Sequence, residues 1–187
     1  MSVLVINGSP NKDGRCAQCA VRLAKGFESK GHAVETVCLY DVKMEICNSC
    51  GTGWGNCAQG SCVLEDDFAA LYESMSKAEA VCFITPVYWH DLSEAMKMLV
   101  DRIRRCDLRA GGNHLLKGKP AIAVSVAKGT GHSGVRCLEA LSYALNQLEM
   151  DVRDRILVTA LSMPYMEDAC EAAARTLGES ILPASLR

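Results

Sequence analysis

The sequence is most informative first for what it lacks. No apolar run approaches the ~18 residues of a bilayer span, so no membrane helix is expected. Neither charge dominates: 20 Lys and Arg face 22 Asp and Glu, a formal net charge of -2. The positive field that gathers nucleic acid or anionic lipid is therefore missing, and small molecules or redox proteins are the expected partners. Proline is scarce, and Pro/Gly/Ser tracts, charge blocks and internal repeats are absent, which argues against linkers and low-complexity segments. Aromatic residues are only 5% of the chain, so two of them adjacent in one loop stand out. Nothing at the N-terminus resembles a secretory signal peptide.

What is present is a globular balance, 49% hydrophobic and 22% charged over 187 residues. That length suits one core and is short for two, so a single domain over residues 1–187 is expected. Eleven Cys are far more than packing needs. Without an export signal they predict a cytoplasmic protein with reduced thiols or metal ligands.

Five short apolar runs read as strands: Val3 to Ile6, Val34 to Leu39, Val81 to Ile84, Ala121 to Val126 and Ile156 to Ala160. Most are continuously apolar and rich in Val and Ile, as in a parallel sheet covered on both faces. Segments of helical period alternate with them, including Ala20 to Phe27, Phe68 to Met75, Leu92 to Ile103, Leu138 to Leu148 and Cys170 to Ile181. Lys30-Gly31 reads as a helix stop, Asp67 as a cap, and Asp91 with Glu94 as a capping box. Five alternations predict an α/β, three-layer, doubly wound, flavodoxin-like fold with a five-stranded parallel sheet in the order 2-1-3-4-5. Ligands bind such sheets at the carboxyl ends of the strands, so the loops after strands one, three and four are the candidate site.

The first loop, Asn7 to Cys16, leads into a helix, and Gly8, Gly14, Ser9 and Asn11 permit a tight turn with side-chain donors. A helix N-terminus there would accept a phosphate, and an ordinary strand-to-helix connection fits equally well. The loop is neither GxGxxG nor GxxxxGK[ST], so neither a Rossmann dinucleotide site nor an NTPase is indicated. After strand three comes Thr85-Pro86-Val87-Tyr88-Trp89-His90-Asp91, where Pro86 sets the direction in which the chain leaves the sheet. After strand four, Ala127-Lys128-Gly129-Thr130-Gly131-His132-Ser133-Gly134 has three Gly that permit close backbone approach to a ligand. From Tyr40 to Leu64 the chain shows no periodicity and carries Cys47, Cys50, Cys57 and Cys62, ahead of Glu65-Asp66-Asp67.

Strand-Gly-Ser-Pro with a downstream Gly, followed by Thr85-Pro86-Val87-Tyr88-Trp89, resembles the flavodoxin-like NAD(P)H-dependent FMN reductase family. The resemblance implies FMN with NAD(P)H as cosubstrate, and a small-molecule acceptor or redox protein as electron sink. It places Ser9, Asn11, Arg15 and Cys16 at the phosphate, although the family usually has Ser or Thr where Cys16 stands. Pro86, Val87, Tyr88 and Trp89, with Lys128, Gly129, Thr130 and Gly131, would border the flavin ring. His90 stands where the family commonly has Gly. No separate catalytic acid or base is demanded, because hydride transfer at the flavin N5 is chemistry that the cofactor carries. A homodimer or homotetramer is a further implication.

The Cys loop resembles that of the iron-sulfur flavoprotein branch of the same superfamily, in which such thiols bind a [4Fe-4S] cluster. Here the spacing is CxxC, six residues, Cys, four residues, Cys, wider than that branch usually has, with an apparent insertion around Trp54. A cluster, a zinc ion, a redox disulfide and thiols without a metal role remain open. Two rivals to the reductase follow: an iron-sulfur flavoprotein passing single electrons, and a nonenzymatic zinc or thiol module. Cys19, Cys38, Cys82, Cys106, Cys137 and Cys170 read as small buried hydrophobes. Arg102, Arg104, Arg105 and Arg109 read as cations complementing a helix C-terminus.

Overall fold

The computed structural model describes residues 2–50, 57, 60–108, 114–129 and 131–181. Thr130, Arg109 and the insertion with Trp54 lie outside the described residues. Strands β1 (Ser2–Asn7), β2 (Ala33–Cys38), β3 (Ala80–Pro86), β4 (Pro120–Ala127) and β5 (Asp151–Thr159) alternate with helices. These are α1 (Arg15–Glu28), α2 (Phe68–Lys77), α3 (Glu94–Asp107), α4 (His132–Gln147) and α5 (Met163–Ser180). The sheet is parallel throughout, in the order β2-β1-β3-β4-β5. This is the flavodoxin-like arrangement that the alternation of runs predicts.

Burial explains which strands were easiest to read. β1, β3 and β4 are covered on both faces, so nearly every side chain is apolar and buried. β5 is an edge strand and begins five residues before the apolar run at Ile156, because Asp151, Arg153, Asp154 and Arg155 need no cover there. The α2, α3 and α4 side of the sheet is filled by Met75, Met96, Leu99, Ile103, Leu141 and Leu145. The other side is filled by Leu23 and Phe27 of α1 with Cys170, Ala174 and Leu177 of α5.

Two helix starts differ from expectation. Asp67 stands at the head of α2 but in helical backbone, and its carboxylate accepts the Lys43 amide at 2.9 Å. Asp66 instead accepts the Phe68 amide at 3.2 Å. At α3 the cap is Ser93, whose Oγ accepts the Met96 amide at 3.3 Å, while the Asp91 carboxylate accepts the adjacent Leu92 amide. Ser93 wins because its hydroxyl also donates to the Gly8 carbonyl at 2.7 Å and its amide donates to Thr85 Oγ1 at 3.0 Å.

Arg102 is not a surface cation at a helix end. It is 2% exposed, and it bonds Asp66 through two nitrogens and the Glu45 carbonyl at 3.1 Å. Its guanidinium lies 4.2 Å over the Phe68 ring. The pair therefore fastens both stems of the Cys loop to α3.

Candidate functional site

The register brings the carboxyl ends of the strands level: Asn7 lies beside Cys38 and Ile84, and Thr85 beside Ser125. The three candidate loops emerge there together. The first is coiled by side chains acting on the backbone ahead of them. Asn7 Oδ1 accepts the Ser9 amide at 3.0 Å, Ser9 Oγ the Asn11 amide at 3.3 Å, and Asn11 Oδ1 the Asp13 amide at 3.1 Å. Such turns are a common use of Asn and Ser. Gly8 is required by closeness: a Cβ there would meet Ser93 Oγ at 2.9 Å and Met96 Cβ at 3.2 Å.

The loop delivers α1 with Gly14 at its N-cap and no side-chain cap, so its first amides are left for a ligand among the described residues. Arg15 is half-buried and makes no hydrogen bond or salt bridge to another described residue. Lys12, by contrast, is held by Asp41 at 2.9 Å. Cys16 is 3% exposed, and burial, opposed by contact with Ser9, pushes its thiol up to about 12. It is a neutral core thiol, a weaker phosphate donor than the hydroxyl it replaces.

In the second loop, the Val87 amide is taken by the Val126 carbonyl and the Tyr88 amide by the Asp91 carbonyl, each at 3.0 Å. Only the amides of Trp89 and His90 lack a backbone partner among the described residues. Both residues have positive φ, 48° and 69°, a conformation that costs about 1–3 kcal/mol for each non-Gly residue. Tyr88 is part-exposed, and its hydroxyl meets that of Tyr40, which also donates to Glu94 at 3.2 Å. Burial first, then Tyr88 and Glu94, push Tyr40 up to about 12.

In the third loop, Lys128 and Gly129 are exposed, and a Cβ on Gly129 would meet open space. Gly131 has φ 92° and caps α4, and a Cβ there would lie 3.0 Å from Thr159 Cγ2. Its glycine is thus needed by the backbone. A separate groove of about 650 Å³ runs between α1 and β2 and reaches the loops only at Asn7 and Lys12.

The Cys loop lies along α3. Cys57 is 3% exposed and touches both Arg105 and Cys106, while Cys62 touches Arg102. Cys47, Cys50 and Cys62 are half-buried. Thiol chemistry suits a soft metal, but among the described residues no three Cys, His, Asp or Glu side chains gather closely enough to hold one. Cys47, Cys50 and Cys57 all face Arg105, and Cys57 and Cys62 face Cys106. Of the six scattered thiols, Cys19, Cys82, Cys106, Cys137 and Cys170 are buried as expected. Cys38 is the exception, half-buried and donating to the Ser9 carbonyl at 3.4 Å.

Sequence reasoning missed Ser93, Thr85, Asn7 and Tyr40, whose hydrogen bonds hold the loops. Only Ser93 left a trace, as a favoured cap residue two positions after the Asp91 that was expected to cap.

Comparison with known proteins places the chain in a family. An iron-sulfur flavoprotein of Archaeoglobus fulgidus is 30% identical over 154 residues, covering 81% of this chain and 72% of that protein. Another of the same name and organism is 33% identical over 131 residues, and the chain spans 56% of its length. The structure of the NAD(P)H:quinone oxidoreductase from Methanothermobacter marburgensis superposes with a TM-score of 0.73 at 17% identity, over 95% of this chain and 96% of that one, and shares the fold. The family model for NADPH-dependent FMN reductase matches residues 1–161, across all three candidate loops. It is to this NADPH-dependent FMN reductase family that the chain belongs.

Proposed function

We propose that this FMN-dependent NAD(P)H oxidoreductase holds FMN across the loops after β1, β3 and β4 and reduces a small acceptor. The observation that carries the reading is the convergence of three loops at the carboxyl ends of β1, β3 and β4, the first two tied together by Ser93 through Gly8 and Thr85. When bound, FMN supplies the relay that takes a hydride equivalent from NAD(P)H and passes it on. With a quinone the balance is NAD(P)H + H⁺ + quinone → NAD(P)⁺ + hydroquinone.

The chain supplies position and charge. Ser9, Asn11 and the first amides of α1 surround the phosphate, with Arg15 as the counter-charge and Cys16 packing beneath. Pro86, Val87, Tyr88 and Trp89 shape one border of the ring, Lys128, Gly129, Thr130 and Gly131 the other. A homodimer or homotetramer in the cytoplasm completes the reading. Exposed Tyr143, Leu161 and Tyr165 support self-association, and the lack of a membrane-length helix among the described residues agrees with a soluble setting.

Purified protein should show flavin absorption that NAD(P)H bleaches without oxygen and a quinone restores. Failure to bind FMN after reconstitution overturns the assignment. Arg15→Gln should weaken FMN binding about tenfold, close to the 1.4 kcal/mol of one charge-assisted contact.

A second reading rests on the relatives named iron-sulfur flavoprotein and on the four loop thiols. In it Cys47, Cys50, Cys57 and Cys62 would hold a [4Fe-4S] cluster after rearranging. Iron and sulfide assays on anaerobically purified protein decide it, and zinc in their place would mark a structural thiol site.

A further inference from the structure

The part of α3 that lies against the Cys loop ends on a thiol outside the four of the loop. Cys106 stands in the last turn of α3, is 1% exposed, and belongs to the same buried cluster as Cys57, with Cys62 packed against it. Its sulfur is in hydrogen-bonding contact with Cys57, and Cys62 faces it as well. Cys57 in turn is held against the Arg105 guanidinium. One thiol of the helix therefore meets one thiol of the loop at a buried point flanked by a cation, the electropositive setting in which oxidisable cysteines occur.

Contact between thiols is not enough by itself, as a second pair shows. Cys19 of α1 and Cys170 of α5 also touch, but both are 0% exposed. Their helices are fixed to each other by Arg22, which bonds Glu167 and Glu171. Oxidation follows access, and a disulfide needs a narrow range of sulfur geometry. At the α3 pair one partner comes from a loop, which adjusts to that geometry more readily than two packed helices do. The half-buried Cys62, packed on the same cluster, gives an oxidant a way in. Cys106 suits the second half of such a reaction. Burial first, then Cys57 and Cys62, push it up to about 12, so it keeps its proton near neutral pH until its partner has been oxidised.

We propose that Cys57 and Cys106 form a reversible disulfide, closed by hydroperoxides and opened by thiols, that fastens the Cys loop to α3. In the first step a hydroperoxide, ROOH, takes two electrons from the Cys57 sulfur. The O-O bond breaks, an S-O bond forms, and Cys57 becomes a sulfenic acid as ROH leaves. In the second, the Cys106 sulfur gives up its proton and attacks the Cys57 sulfur. The S-O bond breaks, the S-S bond forms and water leaves. The balance is two thiols + ROOH → disulfide + ROH + H2O. The closed form withholds Cys57 from any metal, so the oxidised chain cannot place all four loop thiols on one ion. This inference is independent of the flavin site.

The test uses the full-length protein as purified without oxygen. It is treated with hydrogen peroxide, quenched with N-ethylmaleimide and digested for mass mapping of its 11 Cys. The expected result is the loss of two free thiols per chain, a dominant cross-link joining Cys57 to Cys106, and recovery of both thiols with dithiothreitol. Any iron or zinc bound at the start should leave as the cross-link forms. A dominant cross-link from Cys47 to Cys50, or from Cys19 to Cys170, overturns the proposal. So does oxidation to sulfinic acid without a cross-link, or survival of all 11 thiols. Cys106→Ser gives a separate check, since it removes the second thiol and leaves the first. Dimedone should then trap a sulfenic acid at Cys57 in the variant and not in the parent. Equal labelling of the two proteins, or two thiols still lost from the variant, also overturns the proposal.

Discussion

At the scale of single residues, two buried polar groups do more than the loops they stand behind. Ser93 joins Gly8, Thr85 and the head of α3 through three hydrogen bonds of 2.7 to 3.3 Å. Ser93→Ala removes a helix cap and leaves the Gly8 carbonyl unpaired, so a loss of about 1–3 kcal/mol is expected in urea denaturation. Because Gly8 opens the loop proposed to hold the phosphate, FMN affinity should fall with it, measurable by fluorescence titration. Arg102 presents the opposite economy. Burial by itself would raise the Asp66 carboxyl, but Arg102, with the amides of Glu45 and Phe68, outweighs burial and holds it below its ordinary 3.8. The resulting stabilisation is complete above that ordinary value and is lost as pH falls below it. Arg102→Met strands a buried carboxylate and should cost about 3–5 kcal/mol near neutral pH. Protonating Asp66 relieves part of that penalty, so the urea midpoints of variant and parent should converge as the pH falls toward 3.

At the scale of elements, close contact through glycine fixes how the helices lie on the sheet. On one face, a Cβ on Gly26 of α1 would run into the Glu171 carbonyl and Ala174 Cβ of α5. On the other, a Cβ on Gly134 would strike Leu157 of β5. Overpacking of this sort typically costs 1–3 kcal/mol. The two positions should differ in function, since Gly134 lies in the first turn of α4, directly behind the Gly131 loop, whereas Gly26 is near the far end of α1. Gly134→Ala is expected to lower both thermal midpoint and FMN affinity, and Gly26→Ala the midpoint alone. Equal loss of FMN affinity in both would show that the β4 loop is not locally set by α4.

At the scale of the whole molecule, the distribution of thiols governs the alkaline limit. Burial pushes Cys16, Cys106 and Cys137 each up to about 12, from an ordinary value of 9.0. A raised pKa means that the folded chain keeps protons which the unfolded chain releases. This contribution is therefore intact below pH 9 and lost as pH rises toward 12. Urea midpoints should decline steadily above pH 9, and Cys137→Ala should make that decline shallower.

The order of the sheet and the alternation of layers were legible in the sequence, because they depend on local hydrophobic period and on turn residues. The charged half of β5 was not legible, since an edge strand needs no apolar run. Nor was the choice of Ser93 over Asp91 as cap, which depends on Gly8 and Thr85, residues distant in the chain. The same holds for Arg102, which sits at a helix end in the sequence but under the Cys loop in the fold. Composition and periodicity report what each segment buries. Which polar group meets which partner is settled when the strands align and bring remote residues within hydrogen-bonding distance.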